Sequence, residues 1–160
     1  MSIADSASGQ SAFSIRVSVP EQRLDLLEDE TIVATYPVST SKYGLGSEPG
    51  SYRTPTGRLV IGEMIGGDAP AWTAFKGRQP VGIFSATDDD EDGILSRILW
   101  LSGLEPQNAN TRDRYVYIHG TNQEALIGTP ASHGCVRMRN ADVIDLYARV
   151  QPGTPVHILA

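Results

Sequence analysis

The chain has 160 residues, a formal net charge of −6 at pH 7 and 40% hydrophobic residues, so it can bury one core but is too short to divide comfortably into two domains. The negative charge excludes the broad basic surface that a nucleic-acid partner requires. The single cysteine excludes a disulfide within the chain.

The chain is predicted to begin with a flexible N-terminal tail, residues 1–13, followed by one domain over residues 14–160. The tail is small and polar, and no basic residue precedes Arg16. It has no apolar run of the length that a signal peptide or a membrane span needs. We therefore expect no signal peptide and no transmembrane segment in this chain.

Alternation of apolar and polar residues predicts a mainly β domain. Ile15, Val17 and Val19 alternate in the first predicted strand, and Leu24 and Leu26 do so in the second. The later strands are apolar runs bounded by turn residues. The predicted strands cover residues 14–19, 23–28, 31–38, 57–64, 94–101, 114–118 and 155–159.

One main helix is predicted after the loop that holds the cysteine. Asn140 is a suitable N-cap, Asp142 falls in the first turn, and Pro152 with Gly153 ends the pattern. The apolar stripe of this helix is expected to pack on the sheet and to hold the preceding loop in place. The stripe consists of Val143, Leu146, Tyr147 and Val150.

A long stretch without clear periodicity, residues 65–92, is a candidate substrate lid. It is too long for a simple connector in a compact domain. In the alternative interpretation, Trp72 and Phe75 within it only plug the edge of the core. The acidic run 88–92 is interpreted as a solvated loop, and Trp100 as a core residue.

The only cysteine, Cys135, lies in the run Ser132-His-Gly-Cys-Val-Arg137. A thiol becomes a useful nucleophile when a base or a positive field favours its thiolate. His133 lies beside Cys135, and His119 ends a predicted strand from which it can reach the same loop. The pattern indicates a Cys/His nucleophile pair, although a lone cysteine is also common as a small buried apolar residue.

A zinc site is a second interpretation of the same residues. His119, His133 and Cys135 are all of the types that bind zinc. No fourth ligand and no general-base glutamate occurs at a spacing typical of a zinc site. We therefore expect no metal ion, and the thiol nucleophile remains the better interpretation.

The segment around Cys135 resembles the active-site signature of the L,D-transpeptidase catalytic domain, the YkuD family. The resemblance covers nearly the whole predicted domain and implies the β-sandwich-like fold of that family. The residues that carry it are Ser14–Leu27, Pro37-Val-Ser-Thr-Ser41, Thr54-Pro-Thr-Gly57, Tyr117-Ile-His-Gly-Thr121, Ile127-Gly128, Ser132-His-Gly-Cys-Val-Arg-Met138, Asn140, Asp142 and Leu146-Tyr147.

The resemblance implies roles for the residues of this signature. Cys135 is expected to be the nucleophile and His119 the base, with the backbone carbonyl of Gly120 orienting the imidazole. His133 is expected to shape the pocket, and the N–H groups of Gly134 and Cys135 to stabilise an oxyanion. The residues expected to bind substrate are Tyr117, Thr121, Ser132 and Arg137. In an alternative interpretation, Arg137 forms an ion pair that holds the loop.

The implied reaction is acyl transfer between peptidoglycan stem peptides, which serve as donor and acceptor. The thiolate is expected to attack the bond between the third stem residue, commonly meso-diaminopimelate, and the terminal D-alanine, and to form a thioester acyl-enzyme. An acceptor amine then gives a 3,3 or a 1,3 cross-link. A hydrolytic variant, an L,D-carboxypeptidase or a lipoprotein-releasing amidase, remains an open alternative.

The resemblance also bears on location and inhibition. Work on peptidoglycan implies the bacterial cell envelope, in the periplasm. No cofactor is implied. A carbapenem is an expected inhibitor, because a β-lactam presents the thiolate with a strained amide.

Overall fold

The structure is a computed structural model that describes residues 12–85 and 93–160. Its regular elements in this part of the chain are ten strands, one α-helix and three short 3₁₀ turns. The strands are β1 (Phe13–Ser18), β2 (Arg23–Glu28), β3 (Thr31–Ser39), β4 (Gly57–Ile65), β5 (Thr73–Lys76), β6 (Gln79–Ile83), β7 (Ile94–Gly103), β8 (Tyr117–Gly120), β9 (Val136–Met138) and β10 (Pro155–Leu159). The helix is α1 (Asn140–Arg149), and the turns are Pro106–Asn108, Arg112–Arg114 and Glu124–Leu126.

The strands form one sheet in the order β4-β10-β1-β2-β3-β9-β8-β7-β5-β6, and β4 also pairs with β7. That last pairing closes eight strands into a barrel, while β5 and β6 extend from β7 as a hairpin. The parallel neighbours are β8 with β9 and β1 with β10. The prediction of a mainly β fold with one main helix is therefore confirmed.

The main core consists of inward-facing residues of the barrel strands and of α1. Ile15 and Val17 of β1 are 1% and 0% exposed, as the alternation of their strand predicts. Ile118 of β8 and Val136 of β9 belong to the same buried cluster. The helix packs against β7 and β8 and adds apolar side chains, such as Val143, to this core. The two strands that flank the cysteine loop are thus anchored from one face.

The start of α1 differs from the prediction. Asn140 is the first helical residue and not the N-cap, a position that Arg139 occupies with extended backbone. Glu124 supplies the cap from a distant turn, since its Oε2 accepts hydrogen bonds from the backbone N–H and from Nδ2 of Asn140 at 2.8 and 2.9 Å. A carboxylate at this end of a helix also interacts favourably with the helix dipole.

The strand predicted over residues 114–118 is also wrong at its beginning. Arg114 ends the 3₁₀ turn that starts at Arg112, and Tyr115 has left-handed backbone with φ of 58°. The strand β8 begins only at Tyr117 and extends to Gly120. The turn therefore places Arg114 and Tyr115 beside the cysteine loop instead of in the sheet.

The stretch of residues 65–92, expected to be irregular, contains the β5–β6 hairpin. Phe75 of β5 is buried and packs with Trp100 and Tyr117 in a second cluster, against which Cys135 also packs. Trp72 is half-buried, and its ring lies 6.2 Å from that of Phe84. The acidic run 88–92 lies outside the described residues.

The first strand begins at Phe13, so it includes the last residue of the predicted tail, and residues 1–11 lie outside the described part. Within the described ranges, α1 is too short and too polar to span a bilayer, and no other helix there meets the requirement either.

Candidate active site

Two parallel strands bring the predicted catalytic residues to one face of the sheet. In the register of β8 with β9, Val136 pairs with Ile118 and Arg137 pairs with His119. Because Ile118 and Val136 face the main core, the alternate residues of both strands project from the opposite face. This face carries His119 and places Cys135, the residue before β9, beside Tyr117.

The sulfur of Cys135 lies against the backbone that precedes β8. The N–H of Tyr117 donates a hydrogen bond to Sγ at 3.3 Å, and the thiol donates to the carbonyl of Tyr115 at 3.6 Å. The side chain is partly exposed. An N–H directed at sulfur stabilises negative charge on it, whereas the carbonyl of Tyr115 accepts from the neutral thiol, so the sulfur has a partner in both protonation states and remains open to solvent.

The loop before Cys135 is held by hydrogen bonds of its own. The hydroxyl of Ser132 donates to the carbonyl of Cys135 at 2.7 Å and accepts from the N–H of Gly134 at 3.2 Å. The hydroxyl of Thr54 donates to the carbonyl of Gly134 at 3.0 Å. Gly134 has φ of +122°, and a Cβ there would lie 3.3 Å from the carbonyl oxygen of Arg53. This turn therefore requires glycine.

His119 is buried, with 1% of its surface exposed. Its Nδ1 lies 2.6 Å from the carbonyl oxygen of Gly120. A carbonyl can only accept, so Nδ1 carries the proton, and in the neutral ring Nε2 is then the atom able to accept one. Gly120 is irreplaceable in this arrangement, since a Cβ would lie 2.5 Å from Oδ1 of Asn140 and 2.7 Å from the carbonyl of Leu95.

His133 has a different environment from His119. It is exposed, and its ring lies 5.9 Å from the ring of Tyr43 and 5.7 Å from that of Tyr52. These separations are typical of aromatic pairs. The two histidines thus lie in different surroundings, because His119 is buried and His133 is at the surface.

The four residues predicted to bind substrate are buried. Tyr117 is 5% exposed, and Thr121, Ser132 and Arg137 are 0% exposed. Arg137 donates from Nη1 to Oε1 of Gln123 at 2.6 Å and from Nη2 to the hydroxyl of Ser39 at 3.4 Å. Because these side chains are buried, they contact other protein groups and help to hold the site in place.

The hairpin reaches this site through Arg78. Its Nη1 donates to the hydroxyl of Tyr117 at 3.1 Å, and its guanidinium lies 4.8 Å from the ring centre of Trp100 and 5.3 Å from that of Tyr115. Burial raises the pKa of Tyr117 above its ordinary value, although the contact with Arg78 opposes this. One arginine thus connects the hairpin to the residue whose N–H contacts Cys135.

A pocket of about 220 Å³ opens at Cys135. Its walls include Tyr52, Arg114, Tyr115 and His133, of which sequence reasoning found only His133. Tyr52 and Tyr115 have φ of 59° and 58°, a left-handed conformation that is uncommon for a residue with a side chain and is often found at functional sites. No pattern in the sequence predicts this left-handed conformation.

A metal site would need several ligands close together. Among residues 12–85 and 93–160, no group of three His, Cys, Asp or Glu side chains is placed to hold a metal ion. The zinc interpretation of His119, His133 and Cys135 therefore finds no support in their arrangement.

Comparison with known proteins agrees with this geometry. Residues 12–158 match the YkuD family, described as the L,D-transpeptidase catalytic domain. The chain belongs to this family. YkuD of Bacillus subtilis strain 168, named as an L,D-transpeptidase, is 32% identical over 146 residues, which are 91% of this chain and 65% of that protein. The chain therefore spans about two thirds of the length of this relative.

Solved structures show the same fold for this L,D-transpeptidase domain. An L,D-transpeptidase from Mycobacterium smegmatis superposes with a TM-score of 0.62 at 14% identity, over 94% of this chain and 59% of that one. L,D-transpeptidase 3 from Mycobacterium tuberculosis, in complex with a faropenem-derived adduct, gives a TM-score of 0.61 at 16% identity, over 94% of this chain and 61% of that one.

Proposed function

We propose that this domain is a cysteine-dependent peptidoglycan L,D-transpeptidase. The observation that carries the proposal is the pairing of β8 with β9, which puts His119 and the cysteine loop on one face, with the proton of His119 fixed on Nδ1 by the carbonyl of Gly120. A base with a free Nε2 and a thiol with an N–H directed at its sulfur are the parts that acyl transfer to sulfur needs. Family membership supplies the reaction class.

The proposed first half-reaction is acylation of Cys135. Nε2 of His119 takes the thiol proton, and the thiolate attacks the carbonyl of the third stem residue. The N–H groups of Gly134 and Cys135 are the proposed donors to the oxyanion. In the resting structure the Gly134 N–H donates to Ser132, so this role requires that bond to be exchanged. The C–N bond then breaks, and the leaving amine takes the proton from His119.

The proposed second half-reaction transfers the acyl group from the thioester. An amine of a neighbouring stem peptide attacks, His119 accepts its proton, and Cys135 leaves as thiolate. The acceptor determines whether a 3,3 or a 1,3 cross-link forms. Water as acceptor gives the hydrolytic alternative, an L,D-carboxypeptidase or an amidase that releases a lipoprotein, with the same first half-reaction.

Tyr117, Thr121 and Ser132 are proposed to shape the substrate site, and Arg137 to hold the loop of Cys135 or to bind a substrate carboxylate. The place of action is proposed to be the cell envelope, where peptidoglycan lies. Because a related protein was captured with a faropenem-derived adduct, we propose that penems and carbapenems acylate Cys135.

The decisive experiment is incubation with purified disaccharide-tetrapeptide, followed by mass analysis of protein and products. We expect a thioester on the protein, release of D-alanine and a cross-linked dimer. Cys135→Ala is the matched control and should give none of the three. D-Alanine release without a dimer, even with added acceptor amines, would establish the hydrolytic alternative. No thioester and no release from the wild-type protein would refute both.

A further inference from the structure

The pocket at Cys135 contains one arginine, Arg114, to which the proposed reaction assigns no role. Arg114 ends the 3₁₀ turn before β8 and lines this pocket together with the cysteine. Its side chain is partly buried. An arginine keeps its charge at all working pH values, so a positive charge stands beside the nucleophile.

The contacts of Arg114 are with neutral groups. Its guanidinium donates to the carbonyl of Arg53 at 2.7 Å and to the carbonyl of Gly46 at 3.3 Å, with a longer contact to the hydroxyl of Ser51 at 3.5 Å. No salt bridge within residues 12–85 and 93–160 includes Arg114, whereas Glu48, in the same loop, contacts Arg53 at 4.0 Å. Within these ranges the Nε–H of Arg114 also makes no hydrogen bond, and it is not sealed from solvent.

The electrostatics of the pocket favour an anion next to Arg114. Burial lowers the pKa of Arg114, and negative charge on Glu48 and on Cys135 raises it. Arg114 and Cys135 line the same pocket, so the guanidinium can interact with negative charge on the sulfur. Asp113 lines the same pocket but is exposed, so water screens its charge more effectively than that of the partly buried Arg114.

The covalent structure of the proposed substrate indicates which anion can reach this pocket. The walls of the pocket, which has a volume of about 220 Å³, contain both Arg114 and Cys135. In the proposed substrate, the carboxylate of the terminal D-alanine is separated from the scissile carbonyl only by one nitrogen and one Cα. A carbonyl at the sulfur of Cys135 therefore puts this carboxylate within reach of the pocket.

We propose that Arg114 binds the α-carboxylate of the terminal residue that leaves during acylation, and so selects donors that end at that residue. This inference rests on the proposed function. In the step it assists, the S–C bond to Cys135 forms, the C–N bond breaks with its electron pair going to nitrogen, and that nitrogen takes the proton that His119 received from the thiol. Arg114 is a specificity residue here and exchanges no proton.

Arg114 is better placed than Arg137 to bind the substrate carboxylate, because Arg137 is buried. Arg137 is completely buried and engaged with Gln123 and Ser39. Arg114 lines the pocket that opens at the nucleophile. A carboxylate can therefore reach Arg114 without displacing the loop of Cys135.

The test compares two donors that differ only in this carboxylate. They are the disaccharide-tetrapeptide with a free C-terminal acid and the same molecule as the C-terminal amide. For wild type we expect kcat/KM of acylation to favour the acid by about ten- to hundredfold, the range of a hydrogen bond to a charged group. In Arg114→Gln the preference should fall to about threefold or less, and Arg114→Lys should keep an intermediate preference.

Arg112→Gln is the matched control. It removes the same charge from the same short turn, but Arg112 pairs with Glu63 and stacks on Trp100 and does not line the pocket. Its preference for the acid should equal that of wild type. If Arg114→Gln proves too unstable to assay, the wild-type preference and its reduction in Arg114→Lys decide the question.

Equal acylation of wild type by acid and amide, or an unchanged preference in both Arg114 variants, would overturn the assignment while leaving the proposed function intact. If neither donor acylates wild type, in protein whose thiol still reacts with iodoacetamide, the proposed function is refuted and this assignment with it.

Discussion

The backbone N–H of Tyr117 points at Sγ of Cys135 at 3.3 Å, so the first residue of β8 contacts the nucleophile and the third, His119, is the base proposed for it. This relationship follows from the parallel register of β8 and β9. A single strand therefore supplies an N–H contact to the sulfur and the histidine proposed as its base.

Replacement of Cys135 by alanine should abolish acyl transfer and leave the fold intact. The nucleophile forms the bond to substrate, whereas its small, partly exposed side chain contributes little to packing, so unfolding free energy should change by less than about 1 kcal/mol. Product analysis and thermal unfolding measure the two effects. Most of the activity remaining in this variant would exclude the thiol mechanism.

The two histidines should differ in their effect on the thiol. We expect His119→Ala to be nearly as damaging as Cys135→Ala, because it removes the proposed base. His133→Ala should leave measurable turnover with a shifted thiol titration. The pH dependence of iodoacetamide alkylation reports the thiolate without substrate, and the signal is specific because the chain has one cysteine. An unchanged titration in His119→Ala, with loss of both titration and acylation in His133→Ala, would exchange the two roles.

A chelator should change neither the activity nor the stability of the purified protein. Bound zinc that contributes to folding would be lost on chelation, and the protein would unfold with it. Iodoacetamide or a carbapenem should instead add to Cys135 in one equivalent, as intact mass would show. Stoichiometric zinc in the purified protein, together with unfolding on chelation, would favour the metal-site interpretation.

Gly120→Ala should impair both stability and activity. The new Cβ would lie 2.5 Å from Oδ1 of Asn140 and 2.7 Å from the carbonyl of Leu95, so the chain must move, at a cost of about 2 to 3 kcal/mol. The same movement would disturb the carbonyl that accepts from His119. Gly62→Ala is the milder control, because the nearest atom to its Cβ, the carbonyl oxygen of Trp100, lies at 3.3 Å, so a shift of a few tenths of an ångström relieves the contact. Equal melting temperatures and rates for the two variants would contradict this account of Gly120.

Alkaline pH should destabilise the protein partly through Tyr36. Its hydroxyl donates to Oδ2 of Asp145 at 2.6 Å, and burial together with this contact raises its pKa above the ordinary value of 10.0. The stability from this shift is fully present below about pH 10 and is lost as pH rises further, since the unfolded tyrosine then ionises first. Tyr36→Phe should flatten the decline, with Tyr117 contributing a remainder.

Urea unfolding between pH 8 and 11 measures this decline. Tyr43→Phe is the control, because Tyr43 is 48% exposed. This variant should follow the wild-type curve. A Tyr36→Phe curve that also follows wild type would show that Tyr36 ionises equally in the folded and unfolded states.

Local patterns predicted those elements whose residues face a continuous core. Ile15 and Val17 alternate because β1 has one face in the barrel, and Val143 and Leu146 repeat because α1 has one face on the strands. The hairpin escaped prediction because the strand β6 is exposed at every residue, so it carries no alternation.

The candidate site could be predicted only where its residues lie next to one another in the sequence. The run around Cys135 and the His119-Gly120 pair carry their chemistry in the sequence. Arg114 does not, because its position depends on the left-handed backbone of Tyr115 and on carbonyls of a loop about sixty residues earlier in the chain. The cap of α1 was not predicted for the same reason. Asn140 was expected to be the N-cap, whereas the carboxylate of Glu124, in another turn, accepts the hydrogen bond that caps the helix.

Because eight of the other strands close into a barrel, β6 is an edge strand of the sheet in the described part of the chain. Val81 and Ile83 are each 57% exposed there, which by itself would invite a strand of another molecule to add on and start aggregation. Pro80 interrupts that template because it has no N–H to offer, and Gly82 weakens it because glycine favours extended structure poorly. Pro80 and Gly82 make β6 hard to predict as a strand, and the same two residues thus protect the hairpin against self-association.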